Sequence, residues 1–214
     1  AWDTWGHALT DLQGKKRPAN DADPGLKYFG YWTDNGASYY YNYDQKLGYA
    51  GTLLALVDHY RQARIPLGYM QMDSWWYYKA LNDSRGRPPA QASKSLNLPQ
   101  GEWNRYGGLL EWTAHKDLFP DGLAAFQKKL GLPFIAHNRW VDSESPYRQK
   151  YKFTGNAAID PKYWDEIAGY LQSIGGITYE QDWFSDIHSN SPELATTVDM
   201  GDTFMDNMAR ACKE

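Results

Sequence analysis

The sequence predicts an α/β fold. Two observations carry that expectation: strand-like and helix-like segments alternate four times along 214 residues, and helix-to-strand connections are tight while strand-to-helix connections are long and decorated. Parallel strands joined through helices bring all their C-terminal ends to one edge, where decorated connections usually carry a working site.

The polar opening, residues 1–24, carries Gly14, Pro18 and Pro24 and is expected to be an irregular N-terminal segment. Residues 25–214 are expected to form one domain. Its first strand is Leu26–Thr33, running into the turn signal Asp34-Asn35-Gly36. A helix over Gly48–Ala63 follows, with Leu53, Leu54, Leu56, Val57 and Tyr60 as its apolar stripe. Pro66–Asp73 reads as the second strand and leads into the aromatic run Trp75-Trp76-Tyr77-Tyr78. Leu81–Leu118, rich in Pro, Gly, Asn and Ser, reads as a long loop. Phe119-Pro120 leads into a helix over Asp121–Leu130, stopped by Gly131. The third strand is Leu132–His137, the next helix Pro161–Ile174, the fourth strand Ile177–Asp182 and the last helix Pro192–Lys213. The expected architecture is a parallel (βα)4 unit, the half of a TIM-type barrel.

Composition narrows the function. With 42% hydrophobic and 22% charged residues the chain is neither disordered nor a coiled coil. Ten Trp, 17 Tyr and 7 Phe accompany a mean hydropathy of −0.72, so aromatics are abundant while aliphatics are sparse. Rings with polar handles suit surfaces that are apolar and wet at once, as sugar-binding clefts are. A net charge of −4 argues against nucleic acid as a partner. No phosphate-binding glycine loop, HExxH or cysteine cluster is present, and the five histidines lack metal-ligand spacing, so neither cofactor nor metal is expected. Cys212 stands alone and can form no intrachain disulfide. No signal-peptide pattern and no apolar run of membrane-spanning length is visible; a soluble protein without a membrane partner is expected.

The four strand ends read Trp32-Thr33-Asp34-Asn35, Met72-Asp73-Ser74-Trp75-Trp76, His137-Asn138-Arg139-Trp140 and Gln181-Asp182-Trp183. Any one of them is explained by helix capping and space filling. Four in the same topological position point to a ligand cleft. Alternation places Glu180 and Thr178 on the face of Asp182, and Gln71 on the face of Asp73. Polar groups there need partners, solvent or a ligand. Paired carboxyls suit glycosidic bond cleavage, in which one attacks and another exchanges the proton. Asp182 is the candidate nucleophile. Asp34 and Asp73 suit hydrogen bonds to sugar hydroxyls, and Trp32, Trp75, His137, Glu180 and Trp183 complete the candidate substrate subsite. Tyr39-Tyr40-Tyr41 and Trp75–Tyr78 are either stacking platforms for sugars or ordinary packing over the mouth of the cleft.

Phe119-Pro120-Asp121-Gly122-Leu123, a helix, and then Gly131-Leu132-Pro133-Phe134-Ile135 resemble the stretch before the third strand of retaining α-galactosidase barrels. Asp73-Ser74-Trp75 resembles their second-strand Asp-Gly-Trp, and Tyr179-Glu180-Gln181-Asp182 sits where their fourth strand ends in the nucleophilic aspartate. The likeness runs in order through residues 25–185 and is to the α-galactosidase and raffinose-synthase clan. That family usually has Lys or Trp shortly before the aspartate, where Glu180-Gln181 stands here; His137-Asn138-Arg139 also departs from its common pattern. The resemblance implies an eight-stranded barrel with an acid/base aspartate on the sixth strand. Four strands are read here, so the acid/base residue is expected to be absent from them. Two unpaired sheet edges are expected to bring self-association or pairing with a missing C-terminal half-barrel. The alternative is a non-catalytic carbohydrate-binding or oligomeric half-barrel module.

Overall fold

The structure, a computed structural model, describes residues 1–34, 37–38, 42–83 and 107–213, with the side chains of 82 and 83 left aside. The expected features at Asn35-Gly36 and Tyr39–Tyr41, and residues 84–106 of the expected long loop, lie outside these residues.

Four parallel strands form the central sheet: β1 (Gly30–Trp32), β2 (Tyr69–Met72), and two later strands, Phe134–Asn138 and Gly176–Gln181. Between β2 and the third of these strands comes an antiparallel hairpin, β3 (Tyr77–Asp83) with β4 (Gly107–Ala114). The third sheet strand is therefore β5. A two-residue pair, β6 (Phe153–Thr154) and β7 (Ala157–Ala158), precedes the last sheet strand, β8. The sheet order is β1-β2-β5-β8, so strands neighbour each other in the order the chain makes them. The α/β class with a four-stranded parallel sheet agrees with the sequence reading.

The helices are α1 (Trp2–Leu12), α2 (Pro24–Lys27), α3 (Gly48–Gln62), α4 (Leu123–Leu130), α5 (Tyr147–Lys150), α6 (Pro161–Ser173), α7 (Phe184–Ser189), α8 (Pro192–Thr196) and α9 (Met200–Ala211). Their buried residues recur at helical spacing: Leu53 and Val57 in α3, Leu123, Phe126 and Leu130 in α4, Tyr163, Trp164, Ile167 and Leu171 in α6. These stripes share one apolar cluster with Met70, Met72, Phe134 and Ala136, which alternation puts on one face of the sheet. The other face carries Tyr69, Gln71, Ile135, His137, Thr178 and Glu180. One face is thus an apolar bed for helices, and the other becomes polar toward the strand ends.

Local chemistry sets the boundaries. Asp160 accepts the Lys162 N–H at 3.0 Å and Pro161 begins α6. Gly131, at φ 73°, closes α4 in the left-handed conformation that glycine adopts without strain. Gly155, at φ 49°, turns β6 into β7 where a Cβ would meet the Asn190 carbonyl oxygen at 1.7 Å.

Four expectations need correction. Residues 1–24 are not irregular throughout, because Trp2–Leu12 is helical and exposes Trp2, Trp5, Leu9 and Leu12. Leu26 and Lys27 do not open the first strand: Asp23 accepts the Gly25 N–H at 2.7 Å and Pro24 starts a short helix instead. The stretch after Leu81 is not all loop, since β3 runs through Asp83 and Gly107–Ala114 pairs with it. The last helix is broken into α8 and α9, because Thr196, Thr197 and Val198 are β-branched and Asp199 is left-handed at φ 64°.

Phe134 lies wholly buried between the sheet and α4, stacked on Phe126 at 6.2 Å. Phe134→Ala should destabilise the fold by about 3–5 kcal/mol in a urea titration.

Candidate functional site

All four sheet strands end at one edge, in a register that pairs Trp32 with Gln71, Met72 with Ala136, and His137 with Glu180. The hairpin caps this edge, with the Trp112 indole N–H donating to the His137 carbonyl at 2.9 Å. Two hydrogen-bond networks lie beneath it.

The first centres on Thr33 and Gln71, both fully buried. The Thr33 hydroxyl donates to the Gln71 carbonyl at 2.9 Å and accepts from the Asp73 N–H and the Trp75 indole, each at 3.0 Å. The Gln71 side-chain oxygen accepts the Thr33 N–H at 3.0 Å. That contact fixes the amide's orientation, because a backbone N–H can only donate. The amide nitrogen therefore faces two carboxylates, donating to Glu180 Oε2 at 2.8 Å and Asp73 Oδ2 at 3.2 Å. One buried amide holds two carboxyls from different strands.

The second network runs from Arg139 through Tyr77 and His137 to Asp182. Arg139 Nε donates to Tyr77 Oη at 3.0 Å, Tyr77 Oη lies 2.9 Å from His137 Nδ1, and His137 Nε2 lies 3.3 Å from Asp182 Oδ2. Asp182 Oδ1 accepts the Trp183 N–H at 2.6 Å. Trp183 adopts φ 61°, so the chain turns sharply after Asp182 and starts α7. The Arg139 guanidinium sits 5.2 Å from the Trp140 ring and 5.1 Å from the Trp183 ring.

The two carboxyls of β8's end are pushed in opposite directions. Asp182 is held below the usual carboxylate range, chiefly by the hydrogen bond from His137, helped by the Trp183 N–H and the charge of Arg139. Its side chain is 59% exposed, so an anchored carboxylate still faces solvent. Burial raises Glu180 above its ordinary value, with Gln71 and His137 opposing and Asp73 and Asp182 reinforcing. Burial lowers the amine of Lys79 well below its usual range; Arg139 adds to that and Asp73 counters it. Burial likewise raises the Tyr77 hydroxyl.

Asp73, His137, Glu180 and Asp182 are thus brought together. His137 is 1% exposed and meets Tyr77 and Asp182, which makes it a support for the carboxylate. Trp75 is 1% exposed and packs between Tyr49 and Phe119, at 5.4 and 5.8 Å. It walls the site, and Trp76 and Tyr77 are equally buried, so the Trp75–Tyr77 run is packing and not an open platform. Trp183 is half-buried against Trp140 at 4.7 Å, and Trp32 is exposed at the end of β1. Asp34, also at the end of β1, is half-buried, and its carbonyl accepts the Ala37 N–H at 3.0 Å. It stands three strands from Asp182, about 14 Å at ~4.8 Å per strand, and among the described residues its carboxylate joins neither network. Sequence reasoning gave Thr33 and Arg139 a place in the strand-end motifs without a role, gave Gln71 only a place on the face of Asp73, and did not single out Lys79.

Among the described residues no cluster of His, Cys, Asp and Glu could hold a metal ion, and no helix is long and apolar enough to cross a membrane. No protein-family model matches the sequence, and no curated protein matches it.

The lowered Asp182 carboxyl binds its proton less readily in the folded chain than in the unfolded one. It adds stability above the unfolded value that is lost as pH falls through the folded one. His137→Gln should move the Asp182 midpoint upward in a carboxyl-detected NMR titration; an unmoved midpoint would show that the hydrogen bond does not set it.

Proposed function

We propose that this chain is a glycoside hydrolase-like half-barrel, related to retaining enzymes that hydrolyse α-linked sugars, with Asp182 as the nucleophile. The observation that carries the reading is the state of Asp182: an exposed carboxylate at a strand's C-terminal end, held ionised by His137 and the Trp183 N–H. A nucleophile needs that combination of charge, fixed aim and access. Two further carboxyls, Asp73 and Glu180, share an adjacent amide and could position sugar hydroxyls. Exposed Trp32 and half-buried Trp183 offer ring faces for sugar C–H surfaces.

The half-barrel part of the reading is supported by the sequential order of the parallel strands and by a polar face opposite the helix bed. Among the described residues neither β1 nor β8 has a strand paired to its outer side in the four-stranded sheet. A cavity of about 680 Å³ runs along β8, lined in part by Asp165, Thr178, Tyr179 and Cys212. Such an edge invites another strand. A second half, from another copy or a further stretch of chain, would cover both edges and supply the acid/base carboxyl.

Three measurements test these points. With a complementary half-barrel supplied, Asp182→Asn should abolish hydrolysis of an aryl α-galactoside, and retained turnover would remove Asp182 from the role. Calorimetric binding of galactosides without turnover by that assembly would favour a carbohydrate-binding module instead. The mass of the chain alone should rise with concentration in sedimentation, whereas a monomer at the highest concentration would rule out pairing between copies.

A further inference from the structure

The hydrogens in the second network can be counted. An arginine Nε–H has no lone pair to offer, so at the Arg139–Tyr77 contact the tyrosine oxygen accepts. Among the described residues the other polar neighbour of that oxygen is His137 Nδ1, at 2.9 Å, and Tyr77 is fully buried. The hydroxyl hydrogen must go somewhere, and an unpaired buried donor is costly. Nδ1 is the acceptor within reach, so it carries no hydrogen. The imidazole's hydrogen is then on Nε2, which faces Asp182 Oδ2 at 3.3 Å.

We propose that Arg139 and Tyr77 are positioning residues that fix His137 in its Nε2–H tautomer, so that His137 donates to Asp182. The direction of that bond decides what Asp182 can be. With hydrogen on Nε2, Asp182 Oδ2 accepts and Oδ1 accepts from the Trp183 N–H, which favours the ionised carboxylate. With hydrogen on Nδ1, a nitrogen lone pair would face Oδ2, and the contact would require a protonated, non-nucleophilic carboxyl. The relay therefore selects the reactive form of Asp182 from three residues away, through a tyrosine on the hairpin and an arginine just past β5. Its catalytic meaning rests on the proposed role of Asp182; its hydrogen arrangement does not.

The test is long-range ¹H–¹⁵N correlation at neutral pH on protein carrying ¹⁵N-labelled histidine. Five histidines give signals, and the one lost in His137→Gln is His137. The expected pattern is a bare Nδ1 and a protonated Nε2. It should persist in Asp182→Ala, because Tyr77 still donates, and give way to a mixture of tautomers in Tyr77→Phe. Hydrogen on Nδ1 in the unaltered protein overturns the proposal. So does a pattern that survives Tyr77→Phe or disappears in Asp182→Ala. Circular dichroism identifies a Tyr77→Phe protein that has not folded, and the unaltered protein and Asp182→Ala then decide. None of these readings uses turnover: a failed hydrolysis assay removes the catalytic role and leaves the relay, whereas a wrong tautomer removes the relay alone.

Discussion

An unpaired hydroxyl or amide inside a protein costs about 1–3 kcal/mol, and that constraint organises the Thr33–Gln71 network at the C-terminal edge of this sheet. Thr33 uses its hydroxyl three times, once as donor and twice as acceptor. Gln71 uses both ends of its amide, tied to β1 on one side and to carboxyls of the second and fourth sheet strands on the other. Because each group is saturated and its polarity forced, the arrangement does not wait for a ligand to be defined. Preorganisation of this kind spares a site the cost of ordering its side chains at the moment of binding.

Charge is managed by the same rule. Arg139 is buried at the edge where Asp73, Glu180 and Asp182 converge, and burial beside it pushes the amine of Lys79 toward its neutral form. Buried ions of one sign would be untenable, while mixed signs with hydrogen bonds are not. Arg139 combines a hydrogen bond to Tyr77, another to the Gly107 carbonyl at 3.0 Å and two indole rings, which suits the flat, weakly hydrated guanidinium better than it would an ammonium. The hairpin supplies Tyr77, Lys79 and the Gly107 carbonyl, so it belongs to the site as much as the strands do.

The parts legible in the sequence were those governed by short-range periodicity. Helix α3 was legible through its apolar spacing, α4 through its Phe119-Pro120 entry and Gly131 stop, and the strand ends through acids set beside indoles. Helix α1 was not legible because its stripe of Trp2, Trp5, Leu9 and Leu12 is short, buries none of its residues and is followed at once by the breakers Gly14, Pro18 and Pro24. The strand Gly107–Ala114 was hidden inside a composition that resembles loop, although its burial of Leu109 and Trp112 gives it a core role. Within the site, Glu180 and Asp182 could be placed on one face from the period of two. The roles of Tyr77 and Arg139 could not, because they depend on a hairpin folding back over strands it does not join. Trp75 shows the converse: an aromatic beside a strand end reads as a platform, and only its neighbours Tyr49 and Phe119 make it a wall.

Trp183 follows Asp182 with a backbone that large side chains seldom tolerate. Glycine would make the same bend with less torsional strain. It would also take away one of the two aromatic faces that the guanidinium of Arg139 meets among the described residues, loosening the cation that anchors Tyr77. The conformational tension at that position is thus exchanged for grip on an arginine, and the bend and the ring cannot be optimised independently.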